Sequence, residues 1–227
     1  FDFVQLDDAM LIRENMAFLK NPRNFPKAFT HHYFKPESVF GFYYRPLVTL
    51  SYMVDAWLGN GAVWPFRMTN LALHILSVWG VFLFLVEILD RWGAGGCRAA
   101  FWGAMLFAVH PAQAMAVAWV PGRNDLLLAV FLLASLVGFL RHERTGRGWA
   151  LVIHLAGLFL ALLTKEAAVV IPVLCVAWKL LAGGERPDEN KGHQWSLDCL
   201  RTLPWTGWIG IVFLWLIIRR AVLGIPA

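Results

Sequence analysis

Residues 68–89, MTNLALHILSVWGVFLFLVEIL, form an apolar run of 22 residues, and this run limits the possible folds more than any other feature. At about 1.5 Å of rise per residue a helix of this length crosses the ~30 Å hydrocarbon core of a bilayer. Inside lipid the backbone must satisfy its own hydrogen bonds, so the run is expected to be a transmembrane helix. Comparable runs recur at 99–120, interrupted by His110-Pro111, and at 126–140 and 203–218. The stretch 149–182 gives roughly 50 Å of helix, too long for one crossing. Lys165-Glu166 divides it into spans at 149–164 and 167–182. The expected fold is therefore all-α: a polytopic transmembrane bundle over 68–227, preceded by an outer-face loop over 1–67 that carries amphipathic juxtamembrane helices.

Composition agrees, with 59% hydrophobic and 15% charged residues against about a quarter charged in soluble domains. The net charge of +5 reads as loop charge that orients spans, not as a nucleic-acid surface. Loops 90–98, 141–148 and 183–202 carry most of the loop Lys and Arg, which assigns them to the cytoplasm. Segment 1–67 holds seven basic residues and is still expected outside, because long segments translocate largely regardless of charge. The three cysteines, Cys97, Cys175 and Cys199, are scattered and read as packing thiols. The chain begins at Phe1 without Met and ends in AVLGIPA, and we expect truncation at both ends.

The outer side collects the polar groups that sit tight against apolar runs. Asp7 and Asp8 precede a helical stripe of Leu11, Ile12, Met16 and Leu19, where Asp8 suits an N-cap. Pro46 opens a second helical pattern, YYRPLVTLSYMVDAWLG, with apolar Leu47, Leu50, Val54 and Leu58 and with Tyr43, Tyr44 and Trp57 suited to an interface. In the turn PGRND, Arg123 and Asp125 either pair and cap the next helix or offer an arginine to a phosphate. Lys165-Glu166 is either a hairpin tip with a snorkelling lysine or, since its flanking runs are slightly short for a crossing, an ionisable pair below headgroup level facing a wet cavity. No G-x-G-x-x-G, P-loop, H-E-x-x-H or G-x-S-x-G is present, which leaves no sequence support for a nucleotide site, a zincin or a serine triad. We assign no metal and no cofactor. Adjacent His31 and His32 make a poor shared ligand set, and two outer-face carboxylates such as Asp7 and Asp8 are of a type that can bind a hard cation.

Taken together, LDDAMLIREN, YYRPLVTLSYMVDAWLG, FRMTNLALHIL, LFAVHPAQAMAVAWVPGRNDLLLAVF and LALLTKEAAVVIP resemble the GT-C class of integral-membrane glycosyltransferases. They are similar in particular to the transmembrane and tetratricopeptide-repeat O-mannosyltransferases and their bacterial relatives. The likeness runs over roughly residues 5–175, through a YRPL, an HP, an R-x-D-like turn and a KE between spans; beyond about 183 nothing matches. It implies inverting transfer of a mannose-like sugar from a polyprenyl-phosphate donor to a hydroxyl acceptor at the outer membrane face. By that resemblance Asp7 is the general base and Asp8 its orienting neighbour, both catalytic. Arg45, His110, Arg123, Asp125, Lys165 and Glu166 form the lipid-phosphate and sugar site, with Arg123 and Lys165 stabilising the leaving phosphate and Glu166 holding Lys165. The implied partners are the lipid-linked donor, a hydroxyl acceptor and membrane lipid. The KE variant suggests a bacterial inner membrane with the active face periplasmic, or the endoplasmic reticulum membrane in a eukaryote. Two other readings compete: a non-catalytic subunit of a larger membrane complex, and a transporter of lipid-linked sugars, although a transporter is expected to show internal repeats.

Overall fold

A computed structural model describes residues 9–30, 43–91, 96–182 and 203–224. Its regular elements among these residues are helices. The N-terminal part begins with a π-helical turn at Ala9–Arg13, then α1 (Met16–Leu19) and a 3-10 helix at Pro22–Phe29. Asn21 caps the latter by accepting from the Arg23 N–H at 3.1 Å, with Pro22 in the first position, where its missing N–H costs nothing. Next come α2 (Pro46–Leu58), α3 (Trp64–Arg91), α4 (Gly96–Val109), α5 (Gln113–Ala118), α6 (Arg123–Thr145), α7 (Gly148–Leu162), α8 (Val170–Ala182) and α9 (Trp205–Leu223). Among the described residues, three helical stretches are long and apolar enough to cross a membrane: Trp64–Asp90, Val120–Thr145 and Trp205–Leu223. The chain is an all-α helical membrane protein.

The run 99–120 is two helices rather than one. α4 stops at Val109, and α5 starts again at Gln113. Pro111 disfavours helical backbone at His110 and has no N–H to give, so the chain turns there. The Ala112 N–H donates back to His110 Nδ1 at 3.2 Å, and His74 Nε2 reaches the Ala108 carbonyl at 3.0 Å, fastening the end of α4 to α3. At Lys165-Glu166 the chain likewise leaves α7, passes through a 3-10 turn at Glu166–Val169 and enters α8.

Two cores divide the molecule. One joins α6, α7, α8 and α9 through residues such as Phe139, Leu158, Leu162, Ile171 and Trp208. At its centre α6 and α7 approach so closely that a Cβ on Gly138 would lie 2.7 Å from the His154 nitrogen, and one on Gly157 2.9 Å from the Ser135 nitrogen. Small residues at such a crossing let two backbones meet within lipid, where no hydrophobic effect drives helices together. The same crossing carries a buried polar knot. Trp208 donates to His154 Nε2 at 2.7 Å, and His154 Nδ1 lies 3.0 Å from the Ser135 carbonyl. An indole N–H can only donate, so Nε2 accepts and the imidazole proton sits on Nδ1, facing Ser135.

The second core packs Leu11, Ile12 and Leu19 against Val48, Tyr52, Met53 and Ala56 of α2, Phe66 of α3 and Val120. The apolar stripe of α2, Leu47, Leu50, Val54 and Leu58, is not the face it buries in this core. Val54 and Leu58 are exposed, Leu47 and Leu50 only partly covered, and the buried face is Val48, Tyr52 and Asp55 with their neighbours. The reason lies at the inner face, which must carry the Asp55 carboxylate to a buried arginine. The turn into α3 passes through Asn60 and Gly61 with φ of 49° and 86°, a left-handed pair that glycine and asparagine tolerate best. It folds α2 back over the start of α3, where Thr69 Oγ1 donates to Asp55 Oδ1 at 2.6 Å.

Candidate functional site

The polar residues of the site gather at one end of the bundle, where α3 and α6 begin, α7 ends and α2 lies across. Arg123, the first residue of α6, is fully buried, and its guanidinium faces Asp55 Oδ2 at 2.5 Å. It also donates to Asn70 Oδ1 at 2.9 Å, Ser51 Oγ at 3.3 Å and the Phe66 carbonyl at 2.6 Å. The rings of Tyr52 and Phe66 cover it, with centroids 4.7 and 5.6 Å away. Asn70 in turn donates to the Val117 and Trp119 carbonyls at 3.3 and 3.1 Å, which ties the loop before α6 to α3. Burial pushes the Asp55 carboxyl above the usual carboxylate range, while the Arg123 charge and hydrogen bonds from Thr69 and Arg123 act in the opposite direction. Burying an ion pair this deep costs desolvation of both charges, which the bonds from Thr69 to Asp55 and from Arg123 to Asn70, Ser51 and Phe66 help to offset.

The expectation that Arg123 receives a phosphate does not fit this geometry. Its side chain has no exposed surface and its forked face is spent on Asp55, Ser51, Asn70 and Phe66. An arginine engaged on these partners cannot also clasp a ligand without unpairing a buried carboxylate.

Four other expected residues come together at the surface of this end. Lys165 pairs with Asp125, and Arg45 lies 3.5 Å from Glu166. Glu166 therefore holds Arg45 rather than the adjacent Lys165, because neighbouring side chains on an extended residue and a 3-10 start diverge. Arg45 precedes the first turn of α2 and stacks over the Tyr43 ring at 4.6 Å, a cation–π contact. Tyr44, whose hydroxyl donates to the Phe29 carbonyl at 3.1 Å, is buried enough that its pKa rises above the usual phenol value. The side chains of Lys165 and Asp125 are 29% and 55% exposed, those of Arg45 and Glu166 11% and 33%. Lys165–Asp125 thus faces outward, Arg45–Glu166 is partly covered, and Arg123–Asp55 is sealed.

His110 sits exposed in the turn between α4 and α5, bonded to its own loop and not to the four-charge cluster. His74 Nδ1 and Asn124 Oδ1 are buried acceptors without a hydrogen-bond partner among the described residues. Asp7, Asp8, His31 and His32 lie outside the described residues. Among the described ones, no three His, Cys, Asp or Glu side chains are grouped so as to hold a metal ion.

Sequence reasoning passed over Asp55, Asn70 and His154. Each carries a signal that could have found it: a lone polar or ionisable residue inside an apolar helix, which in a membrane has to face a partner.

An all-α membrane bundle with a charge cluster at one end is the class that fold and site define. Over part of its length the chain is related to protein O-mannosyl-transferases. It is 32% identical to Protein O-mannosyl-transferase Tmtc1 of Drosophila melanogaster across 158 residues, 69% of this chain and 18% of that protein. It is 35% identical to Protein O-mannosyl-transferase TMTC2 of Homo sapiens across 107 residues, 47% of this chain and 12% of that one. With the human TMTC4 protein it shares 30% identity across 164 residues, 63% of this chain and 21% of the relative. The chain thus spans about a fifth or less of the length of these curated relatives. They are animal proteins, which gives no support to the expected bacterial setting. No family model matches the chain, and no solved structure does.

Proposed function

We propose that this chain is the membrane-embedded part of a glycosyltransferase that moves a mannose-like sugar, with inversion, from a polyprenyl-phosphate donor to a hydroxyl acceptor at the end of the bundle bearing the charge cluster. That end faces away from the cytoplasm, in the endoplasmic reticulum lumen if the relatives' animal origin extends to this chain. The observation that carries the reading is the convergence of Arg45 and Lys165 from distant parts of the chain onto one partly open surface. Relatives named as O-mannosyl-transferases supply the sugar and the reaction.

The donor is a phosphodiester with one negative charge and two unesterified oxygens, which suits two cations that are at present balanced by Glu166 and Asp125. On entering, the phosphate takes over part of the role of those carboxylates. As the glycosidic bond breaks, charge grows on the leaving phosphate, and preorganised cations stabilise that charge more than the ground state. A carboxylate must take the acceptor hydroxyl's proton; Asp7 is assigned this role and Asp8 its orientation, on the resemblance. His110, at the neighbouring turn, offers a hydrogen bond to a sugar hydroxyl.

The test is transfer from radiolabelled polyprenyl-phosphate mannose to a Ser/Thr-rich acceptor by the full-length protein. Asp7→Asn is expected to abolish transfer while leaving donor binding intact, and Lys165→Met to weaken donor binding. Because the four surface charges already satisfy one another, the cluster also fits a closing clamp in a non-catalytic subunit. Wild-type protein that neither binds the donor nor transfers sugar would decide for that second reading.

A further inference from the structure

The three ion pairs at the site end form a closed circuit. The α2 segment contributes Arg45 and Asp55, the Lys165-Glu166 turn contributes one cation and one anion, and the opening of α6 contributes Arg123 and Asp125. Each of the three elements gives one cation and one anion, and each is linked to both of the others. The links are unequal. Arg45–Glu166 and Lys165–Asp125 are partly open to solvent, but Arg123–Asp55 is sealed beneath Tyr52 and Phe66. Ten residues separate Arg45 from Asp55, about 15 Å along a helix, so the sealed pair grips the end of α2 remote from Arg45. Tyr52, between them, adds a hydrogen bond from its hydroxyl to the Val120 carbonyl at 3.4 Å.

We propose that Asp55 and Arg123 are positioning residues: they fix how α2 lies across the bundle and so set the spacing between the Arg45 guanidinium and the Lys165 ammonium that receive the donor phosphate. The inference rests on the phosphate-binding reading above and assigns Arg123 a task other than touching the ligand. A helix gripped at one end transmits a tilt to its other end, and a phosphodiester bridging two cations is sensitive to their separation. When donor opens the two outer links, the sealed link keeps α2 seated.

The experiment is a double-mutant cycle on the full-length protein in lipid nanodiscs, with polyprenyl-phosphate mannose as the probe. Asp55→Asn keeps the shape and the Thr69 contact but removes the charge. It is expected to weaken donor binding roughly tenfold, within the loss that misplacing a group by ~1 Å can produce. In an Arg45→Gln background the same change is expected to alter binding less than about twofold, because no guanidinium remains to be positioned; distant independent effects would instead add. An equal loss in both backgrounds overturns the proposal. A second measurement requires no donor. Spin labels at exposed Val54 and Ala167, in a background with Cys97, Cys175 and Cys199 replaced, report the distance from α2 to the Lys165-Glu166 turn. Asp55→Asn is expected to shift or broaden that distance, and an unchanged distribution overturns the proposal. If wild type binds no donor, the phosphate-binding reading fails, and the spin-label distance still decides whether the sealed pair positions α2. Arg123→Lys, which keeps the charge and loses the fork, stands in if Asp55→Asn does not fold.

Discussion

Both ends of the bundle are laced with ion pairs, yet the two sets are wired differently. At the end opposite the site, Glu87 of α3 is nearly buried and holds Arg141 at 2.6 Å and Arg144 at 3.3 Å, both from α6. Arg144 also reaches Asp90 at 3.9 Å, and Lys179 of α8 pairs with Glu143 of α6. These contacts run in a line, α3 to α6 to α8, with α6 in the middle. At the site end the links close on themselves. In a line each bond is set independently of the next, whereas in a loop each link constrains the geometry of the others. The line serves to hold helices side by side. The loop, with two of its cations at the surface, fits a place where spacing matters.

That contrast can be broken by four substitutions. The largest effect is expected from Arg123→Ala, which leaves Asp55 charged and buried without its partner and should cost about 3–5 kcal/mol. Thermal unfolding of purified protein measures it, and a loss no greater than for Arg141→Ala would erase the distinction between the ends. Gly138→Ala comes next. Its new methyl meets the His154 backbone at 2.7 Å, and overpacking of this kind costs about 1–3 kcal/mol. Since it lies in the layer between the ends, donor binding should change less than stability does. His154→Phe removes the acceptor for Trp208 and is expected to cost about 1 kcal/mol, typical of a polar contact between membrane helices; protease sensitivity of the α9 segment checks this. Arg141→Ala should be smallest, below ~1 kcal/mol, because its side chain is about a third exposed and Arg144 still reaches Glu87.

The fold class was legible because lipid imposes a simple rule: long apolar runs become helices. The interruption at His110-Pro111 was visible in the sequence, though the rule alone could not say that proline would separate two helices there and not merely bend one. For the site, sequence pointed to Arg45, Asp125, Lys165 and Glu166 because charges next to apolar runs stand out. It could not pair them, since Lys165 reaches back 40 positions to Asp125 and such distances leave no local pattern. Arg123 was chosen for its chemistry and turned out to be enclosed, a property that depends on how α2 folds back. Asp55 went unweighed because counting apolar spacing on α2 picks out Leu47, Leu50, Val54 and Leu58, and the acid lies on the buried face instead.

The polar knot at the α6–α7 crossing bears on how the last helix is seated. His154 offers a lone pair on Nε2 only while its proton is held on Nδ1, and Ser135 of the neighbouring helix is what holds it there. The acceptor for Trp208 is therefore favoured by the α6–α7 hairpin, which selects the tautomer that α7 alone leaves open. α9 thus meets one polar acceptor in an otherwise apolar wall, and a hydrogen bond there adds a directional constraint to the apolar packing of Trp208 and Trp215.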